Sequence, residues 1–135
     1  MPFRFESDEL HRIIRIVFEG PCTDDDMLEA YYALGLLLER NSPASVIIDY
    51  TDVTDIRIST EAVREYSYRL PTVDTDDFLI AVAPQPIMYG IARMFEVITA
   101  ETRANMHVVH SMKEALALMG VSSAPFIPLK SPEAA

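Results

Sequence analysis

Hydrophobic and polar positions alternate in two short segments at the start of the chain. Residues 3–6 alternate apolar with charged side chains. Residues 11–18 are rich in β-branched side chains, with Ile14, Ile16 and Phe18 on one face of an extended chain. The polar Ser-Asp-Glu stretch between the segments indicates a turn, so the pattern predicts a β-hairpin.

Four later segments have the apolar spacing of helices, and the chain around them carries signals for helix ends. Thr23 is a suitable N-cap ahead of three aspartates, which favour the positive end of a helix dipole. Pro86 suits a first helical turn. Ser111 opens a Ser-x-x-Glu capping box, and Gly120 stands at the matching C-cap. The predicted helices begin near residues 24, 59, 86 and 111.

The same spacing assigns a buried face to two of these helices. The first helix, running to about Arg40, is predicted to bury Met27, Tyr31, Leu34 and Leu38. The third helix is predicted to bury Ile87, Ile91, Met94 and Ile98.

Three apolar segments lie between the helices, at 45–49, 78–83 and 105–109. The polar residues 50–58 are predicted to be a connection. The element order is therefore ββαβαβαβα. This alternation predicts an α/β fold with one five-stranded, mostly parallel sheet, in which the first strand runs antiparallel to the second and the strands follow in sequential order.

Length and charge narrow the class of protein. A chain of 135 residues is one domain by default, here over residues 1–120, and residues 121–135 form a proline-containing tail expected to be mobile. The formal net charge of −10 argues against nucleic-acid and anionic membrane partners. The chain has one cysteine, and residues 1–10 contain no signal-peptide core. Both observations predict a cytoplasmic location for this acidic protein.

Several stretches carry a family resemblance. Residues 46–54 read Val-Ile-Ile-Asp-Tyr-Thr-Asp-Val-Thr, residues 80–84 form a second apolar strand, and residues 88–95 and 111–120 are the helices that follow. Together they resemble the STAS/SpoIIAA-like domains, in particular their uncharacterised bacterial SpoIIAA-like branch. The founding members are anti-sigma-factor antagonists. The resemblance implies a SpoIIAA-like fold and a non-catalytic regulatory role through protein contacts.

One departure from that family concerns its phosphorylation switch. The antagonists carry Asp-Ser-Ser/Ala-Gly where the second helix begins, and a serine there is phosphorylated. Here Ile58 stands at the usual phosphoserine position and has no hydroxyl. The switch therefore does not carry over, and Ser59 is predicted to act as a helix cap that accepts an N–H bond near Ala62.

The carboxyl ends of parallel strands are where ligands collect, and polar residues follow two of these ends. Asp49, Thr51, Asp52 and Gln85 are therefore the candidate binding residues. An alternative is an enzyme that uses Asp49 and Asp52 with His110 for acid–base chemistry. A third alternative, suggested by the Met- and Ile-rich third helix, is a carrier of a small apolar ligand or lipid.

No assembled catalytic motif appears, so no residue is assigned as catalytic and no cofactor is predicted. His107 and His110 lack the further ligands that a metal needs, so no metal is predicted. Cys22 lies before a helix N-terminus but is followed by three aspartates, which oppose a thiolate, and it is predicted to be inert.

Apolar residues on the outer side of two helices predict an interface. Tyr32 and Leu36 fall opposite the buried face of the first helix, and Tyr89 falls on the outer side of the third. Gly90 would allow close approach of a neighbour. We therefore predict a homodimer, together with a protein partner that the sequence does not identify.

Overall fold

A β-hairpin opens the chain. The computed structural model describes residues 2–41, 44–69, 76–100, 105–122, 125–130 and 132. Strands β1 (Phe3–Asp8) and β2 (Ile13–Thr23) pair antiparallel, with Phe3 opposite Phe18 and Asp8 opposite Ile13. The predicted hairpin is confirmed, and its second strand runs further than the hydrophobic pattern indicated.

The elements after the hairpin alternate between helix and strand. They are α1 (Asp24–Asn41), β3 (Ser45–Arg57), α2 (Thr60–Ser67), β4 (Leu79–Val82), α3 (Pro86–Ile98), β5 (Met106–Val109), α4 (Met112–Met119) and β6 (Ile127–Leu129). The sheet order is β5-β4-β3-β2-β1-β6, with parallel pairing from β2 to β5. The predicted α/β class is confirmed.

The sheet is mixed and, within the described residues, has six strands, so the prediction of five was wrong. The sixth strand, β6, pairs antiparallel with β1, placing Leu129 opposite Phe5. It lies in the segment that was expected to be a tail. A three-residue strand centred on Pro128 is too short for alternation to show, and proline is tolerated there because the strand is at the sheet edge.

The predicted connection over residues 50–58 was also wrong, because β3 continues to Arg57. The second half of β3 pairs with the second half of β2, from Glu19 opposite Asp52 to Thr23 opposite Arg57. Val53 is buried while Thr51 and Asp52 are exposed. Two register irregularities between β2 and β3 accompany this extension. Aspartates are depleted in strands, so the polar composition hid the element.

Two clusters of apolar residues lie on opposite faces of the sheet. The larger cluster packs α1, α2 and α3 against one face, which includes Ile16 and Ile48. The smaller cluster joins Ile47 and Ile80 on the other face to Ala115 of α4. In α1, Met27, Tyr31 and Leu34 are buried as predicted, whereas Leu38 is half-buried.

The predicted phase of α3 was wrong. Its fully buried residues are Met88, Ala92 and Phe95, while Ile87 is 69% exposed. The other residues of the predicted face are half-buried: Ile91, Met94 and Ile98. Arg93 and Glu96 lie opposite the predicted face, so the spacing favours that face and does not select the true inward face. Packing selects it, and the Phe95 ring meets Tyr31 of α1 edge-on at 6.1 Å.

The helix ends largely follow their sequence signals. Ser59 is the N-cap of α2, and Ser111 is the N-cap of α4. Gly120 adopts the left-handed conformation with φ 74°, as expected of a C-terminal cap. Pro86 occupies the first turn of α3. In the described part of the chain, no helix is long and apolar enough to span a membrane.

Removing the Ser59 hydroxyl is expected to destabilise the protein by about 1 kcal/mol. The Ser59 Oγ accepts the Ala62 N–H at 3.0 Å and donates to Asp24 Oδ2 at 2.9 Å, and Ser59→Ala loses both bonds. Urea unfolding measures the change. Thr60→Ala, one residue further on, is the control and should stay within about 0.5 kcal/mol of wild type. Equal midpoints for Ser59→Ala and wild type would contradict the capping role.

Candidate functional site

A pocket of about 300 Å³ lies where β4 and β5 end, beside residues in the interior of β2 and β3. Its walls come from β2, β3, the loop after β4 and the segment that leads from β5 into α4. The lining residues are Arg15, Asp49, Thr51, Asp52, Pro84, His110, Ser111 and Met112. The fold therefore brings together three of the four candidate binding residues and all three residues of the enzyme alternative. We call this cavity the strand-end pocket.

Asp49 is the most buried polar group of the strand-end pocket, with 1% of the residue exposed. Its Oδ2 accepts hydrogen bonds from the Arg15 guanidinium, including Nε at 3.2 Å. Its Oδ1 accepts the Thr51 N–H at 2.9 Å and the Thr51 hydroxyl. Both oxygens therefore accept bonds from neighbouring donors, and the carboxylate links Arg15 of β2 to Thr51 of β3.

Arg15 is held in place by further contacts. Its Nη1 donates to Glu6 at 2.8 Å, and its guanidinium carbon lies 5.2 Å from the ring centre of Phe126. The segment before β6 thus covers the arginine that neutralises Asp49. The pair joins β2 to β3 on the face opposite α1, α2 and α3.

His110 stands at the mouth of the strand-end pocket with 59% of its side chain exposed. Its ring stacks on Tyr89, with ring centres 4.2 Å apart and planes 6° apart. Its backbone N–H donates to Glu114 Oε2 at 3.0 Å. Among the described residues, no hydrogen bond joins His110 to Asp49 or Asp52, so the three form no proton relay in this arrangement.

Gln85, the fourth candidate binding residue, lies outside the lining of the strand-end pocket. Its Nε2 donates to the carbonyls of Tyr50 at 2.8 Å and Val53 at 3.1 Å. These bonds connect the N-cap of α3 to the part of β3 that continues beyond Asp49. The Gln85 Oε1 is buried without a hydrogen-bond partner in the described part of the chain.

The remaining titratable candidates are separated from one another. His107 lies against Phe78, and His11 Nδ1 contacts the Asp8 carboxylate. Burial, with the Asp26 and Asp24 carboxylates, raises the pKa of Cys22 to about 12, so its thiol stays protonated. Over the ranges that the structure describes, no three His, Cys, Asp or Glu side chains come close enough to hold a metal ion.

The three residues of the predicted interface have different environments. Tyr32 is 70% exposed on α1. Leu36, one turn further along, is half-buried. Tyr89 is half-buried against the core, and its ring is stacked on His110. Tyr32 is therefore the one with a largely free apolar surface.

A feature that the sequence analysis missed is an open groove between α2 and α3. Its volume is about 470 Å³. Its lining residues are Arg64, Gly90, Arg93, Met94, Val97 and Ile98. The signal in the sequence is the near absence of a polar face on α3. We call this feature the α2/α3 groove.

No protein-family model and no curated protein matches this chain. The STAS/SpoIIAA-like resemblance accordingly stays a prediction from the residues. The geometry of the two cavities carries the functional argument from here.

Breaking the buried ion pair of the strand-end pocket is expected to destabilise the fold. Arg15→Met leaves the Asp49 carboxylate buried without its cation and should lower the free energy of unfolding by about 3 kcal/mol. Arg15→Met with Asp49→Asn removes the uncompensated charge, so its loss should be smaller than the sum of the single losses.

Urea unfolding of the four proteins in this double-mutant cycle measures the coupling. Arg4→Met is the control, because Arg4 pairs with Glu19 at the surface and should contribute less than about 1 kcal/mol. Additive effects of Arg15→Met and Asp49→Asn would show that the pair is not coupled.

Proposed function

We propose that this chain is a non-catalytic binding module of STAS-like fold that acts through protein–protein contacts in the cytoplasm. The observation that carries the proposal is a line of apolar positions along the outer side of α3. Ile87 and Val97 are 69% and 67% exposed, and the exposed Gly90 and half-buried Met94 lie between them. We call these four residues the α3 strip.

The α3 strip is more extended than an isolated exposed side chain. Its positions follow one another at spacings of three, four and three residues, which places them along one side of the helix. Contiguous apolar surface of this kind is typical of interaction sites, whereas single exposed apolar residues are common anywhere. The strip also borders the α2/α3 groove, which widens the apolar surface.

The shape of the groove favours a protein partner over a carried small molecule. Carriers enclose most of the surface of their ligand. The α2/α3 groove is instead open along its length, with Val97 and Gly90 exposed to solvent. A partner side chain or helix could enter it from outside.

The arrangement of the strand-end pocket favours binding over catalysis. A general base needs a free acceptor within reach of its substrate. Both oxygens of Asp49 already accept bonds from Arg15 and Thr51. His110 is stacked on Tyr89 and contacts Glu114.

The same proposal holds that the module lacks the family's phosphoserine switch. Ile58 is half-buried and packs against the larger core cluster. The Ser59 hydroxyl beside it donates to the Asp24 carboxylate at 2.9 Å. A phosphate on Ser59 would face that carboxylate, and like charges repel.

Capture of partners from a lysate of the source cell tests the α3 strip. The double variant Ile87→Ser with Val97→Ser should fail to capture at least one protein that the wild-type chain captures. Quantitative mass spectrometry of the captured proteins measures this loss. Leu10→Ser with Leu118→Ser is the matched control, because it replaces two exposed leucines elsewhere and should retain that partner. Identical partner lists for all three proteins would contradict the proposal.

We further propose that the chain forms a homodimer through the outer face of α1, since Tyr32 offers a largely exposed aromatic ring. Sedimentation equilibrium at physiological salt should give twice the monomer mass, and Tyr32→Glu should give a monomer. The net charge of −10 opposes association, so lower salt should weaken the dimer. A wild-type monomer, or a dimer unaffected by Tyr32→Glu, would contradict this surface.

A further inference from the structure

The α2/α3 groove is apolar except for two arginines. Among the described residues, Gly90, Met94, Val97 and Ile98 supply its apolar lining, and Arg64 of α2 and Arg93 of α3 supply its charged lining. The groove therefore combines an apolar lining with two guanidinium groups.

The two arginines line the groove of a protein whose formal net charge is −10. The chain has 21 acidic and 11 basic residues. Within the described residues, Arg64 forms no ion pair, and Arg93 pairs with Glu96 on its own helix. A groove whose charged lining is cationic, on an otherwise acidic protein, attracts an anionic partner and disfavours a basic one.

The length of the groove, and the open space over Gly90, suit the binding of a short helix. From Gly90 to Val97 is about 10 Å along α3, or two helical turns. Apart from its chain neighbours and the backbone of its own helix, no described atom lies within 4 Å of the position that a Cβ on Gly90 would take. A partner helix can therefore approach closely over Gly90 and place apolar side chains, spaced three and four residues apart, against Met94 and Val97.

We propose that the α2/α3 groove binds an amphipathic helix of a partner protein whose apolar face is flanked by aspartate and glutamate. This inference rests on the proposed protein-binding function and names the class of partner. A second copy of the chain fits less well. A two-fold contact through the groove would bring Arg64 and Arg93 of both copies into one interface, where like charges oppose association.

A displayed library of helical peptides tests the class of partner. Each peptide carries a fixed apolar stripe, and its flanking positions vary among Asp, Glu, Gln, Lys and Arg. Helices selected on the full wild-type chain should be enriched in Asp and Glu at the flanks relative to the input library. Their binding should weaken at least about tenfold on Arg64→Glu with Arg93→Glu, because the attraction becomes repulsion.

A matched charge control separates the groove from the net charge. Arg40→Glu with Lys113→Glu makes the same change in net charge at exposed sites outside the groove. This variant should bind the selected helices within about twofold of wild type, since exposed charges far from the contact are screened at physiological salt. Equal weakening by both double variants would overturn the assignment to the groove.

Gly90→Leu separates loss of binding from loss of folding. Nothing within 4 Å obstructs a Cβ at Gly90, and leucine is a better helix former than glycine. The urea midpoint should therefore stay unchanged or rise, while the leucine side chain fills the groove and abolishes helix binding. Selected helices that bind Gly90→Leu as well as wild type would overturn the proposal.

The remaining outcomes distinguish failure of this inference from failure of the proposed function. Helices that depend on Gly90 but carry neutral or basic flanks would overturn the acidic class and leave the protein-binding role in place. If dodecanoate binds the groove and no Gly90-dependent helix is selected, the occupant is an alkyl carboxylate and the inference is wrong. If wild type, the α3 strip variant and its control capture the same proteins from the lysate, the proposed function itself is overturned.

Discussion

The parallel pairing of β2 with β3 is the interaction on which the rest of this structure depends. These are the two longest strands, with 11 and 13 residues, and they occupy the middle of the sheet. Their alternating side chains contribute to both apolar clusters. Ile16 and Ile48 face α1, α2 and α3, while Ile13 and Ile47 face α4. A shift of one residue in their register would exchange these two sets of side chains.

The extended half of β3 also controls the placement of α3. The carbonyls of Tyr50 and Val53 accept the Gln85 amide, and this fixes where α3 begins. Met88 and Phe95 then fill the larger core, so the opposite side of α3 faces solvent. The α3 strip and the α2/α3 groove are therefore consequences of how an almost wholly apolar helix is anchored at its N-terminus and packed along its length.

The two cavities differ in what their polar groups are free to do. In the strand-end pocket, Arg15 and Asp49 satisfy each other across β2 and β3, and Thr51 completes the hydrogen bonds of the carboxylate. In the α2/α3 groove, Arg64 and Arg93 border apolar surface that no described part of the chain covers. The first arrangement stabilises the sheet, and the second leaves apolar surface and the Arg64 guanidinium available to a partner, while Arg93 pairs with Glu96.

The sequence by itself determined the features that depend on neighbours along the chain. The hairpin, the helix starts at Ser59 and Ser111, and the left-handed cap at Gly120 are set by hydrogen bonds and backbone conformations within a few residues. The convergence of Asp49, Asp52 and His110 was also predicted, although Asp49 and Asp52 lie inside β3, which continues to Arg57, and not at its carboxyl end.

Only the tertiary structure decided the features that depend on distant partners. Strand β3 continues past Asp49 because β2 continues beside it, and β6 forms because β1 offers an open edge. The inward face of α3 was selected by contact with Tyr31 and the core, which overrode the phase that Arg93 and Glu96 favour along the helix. The α2/α3 groove exists only after that choice, so local periodicity could not reveal it.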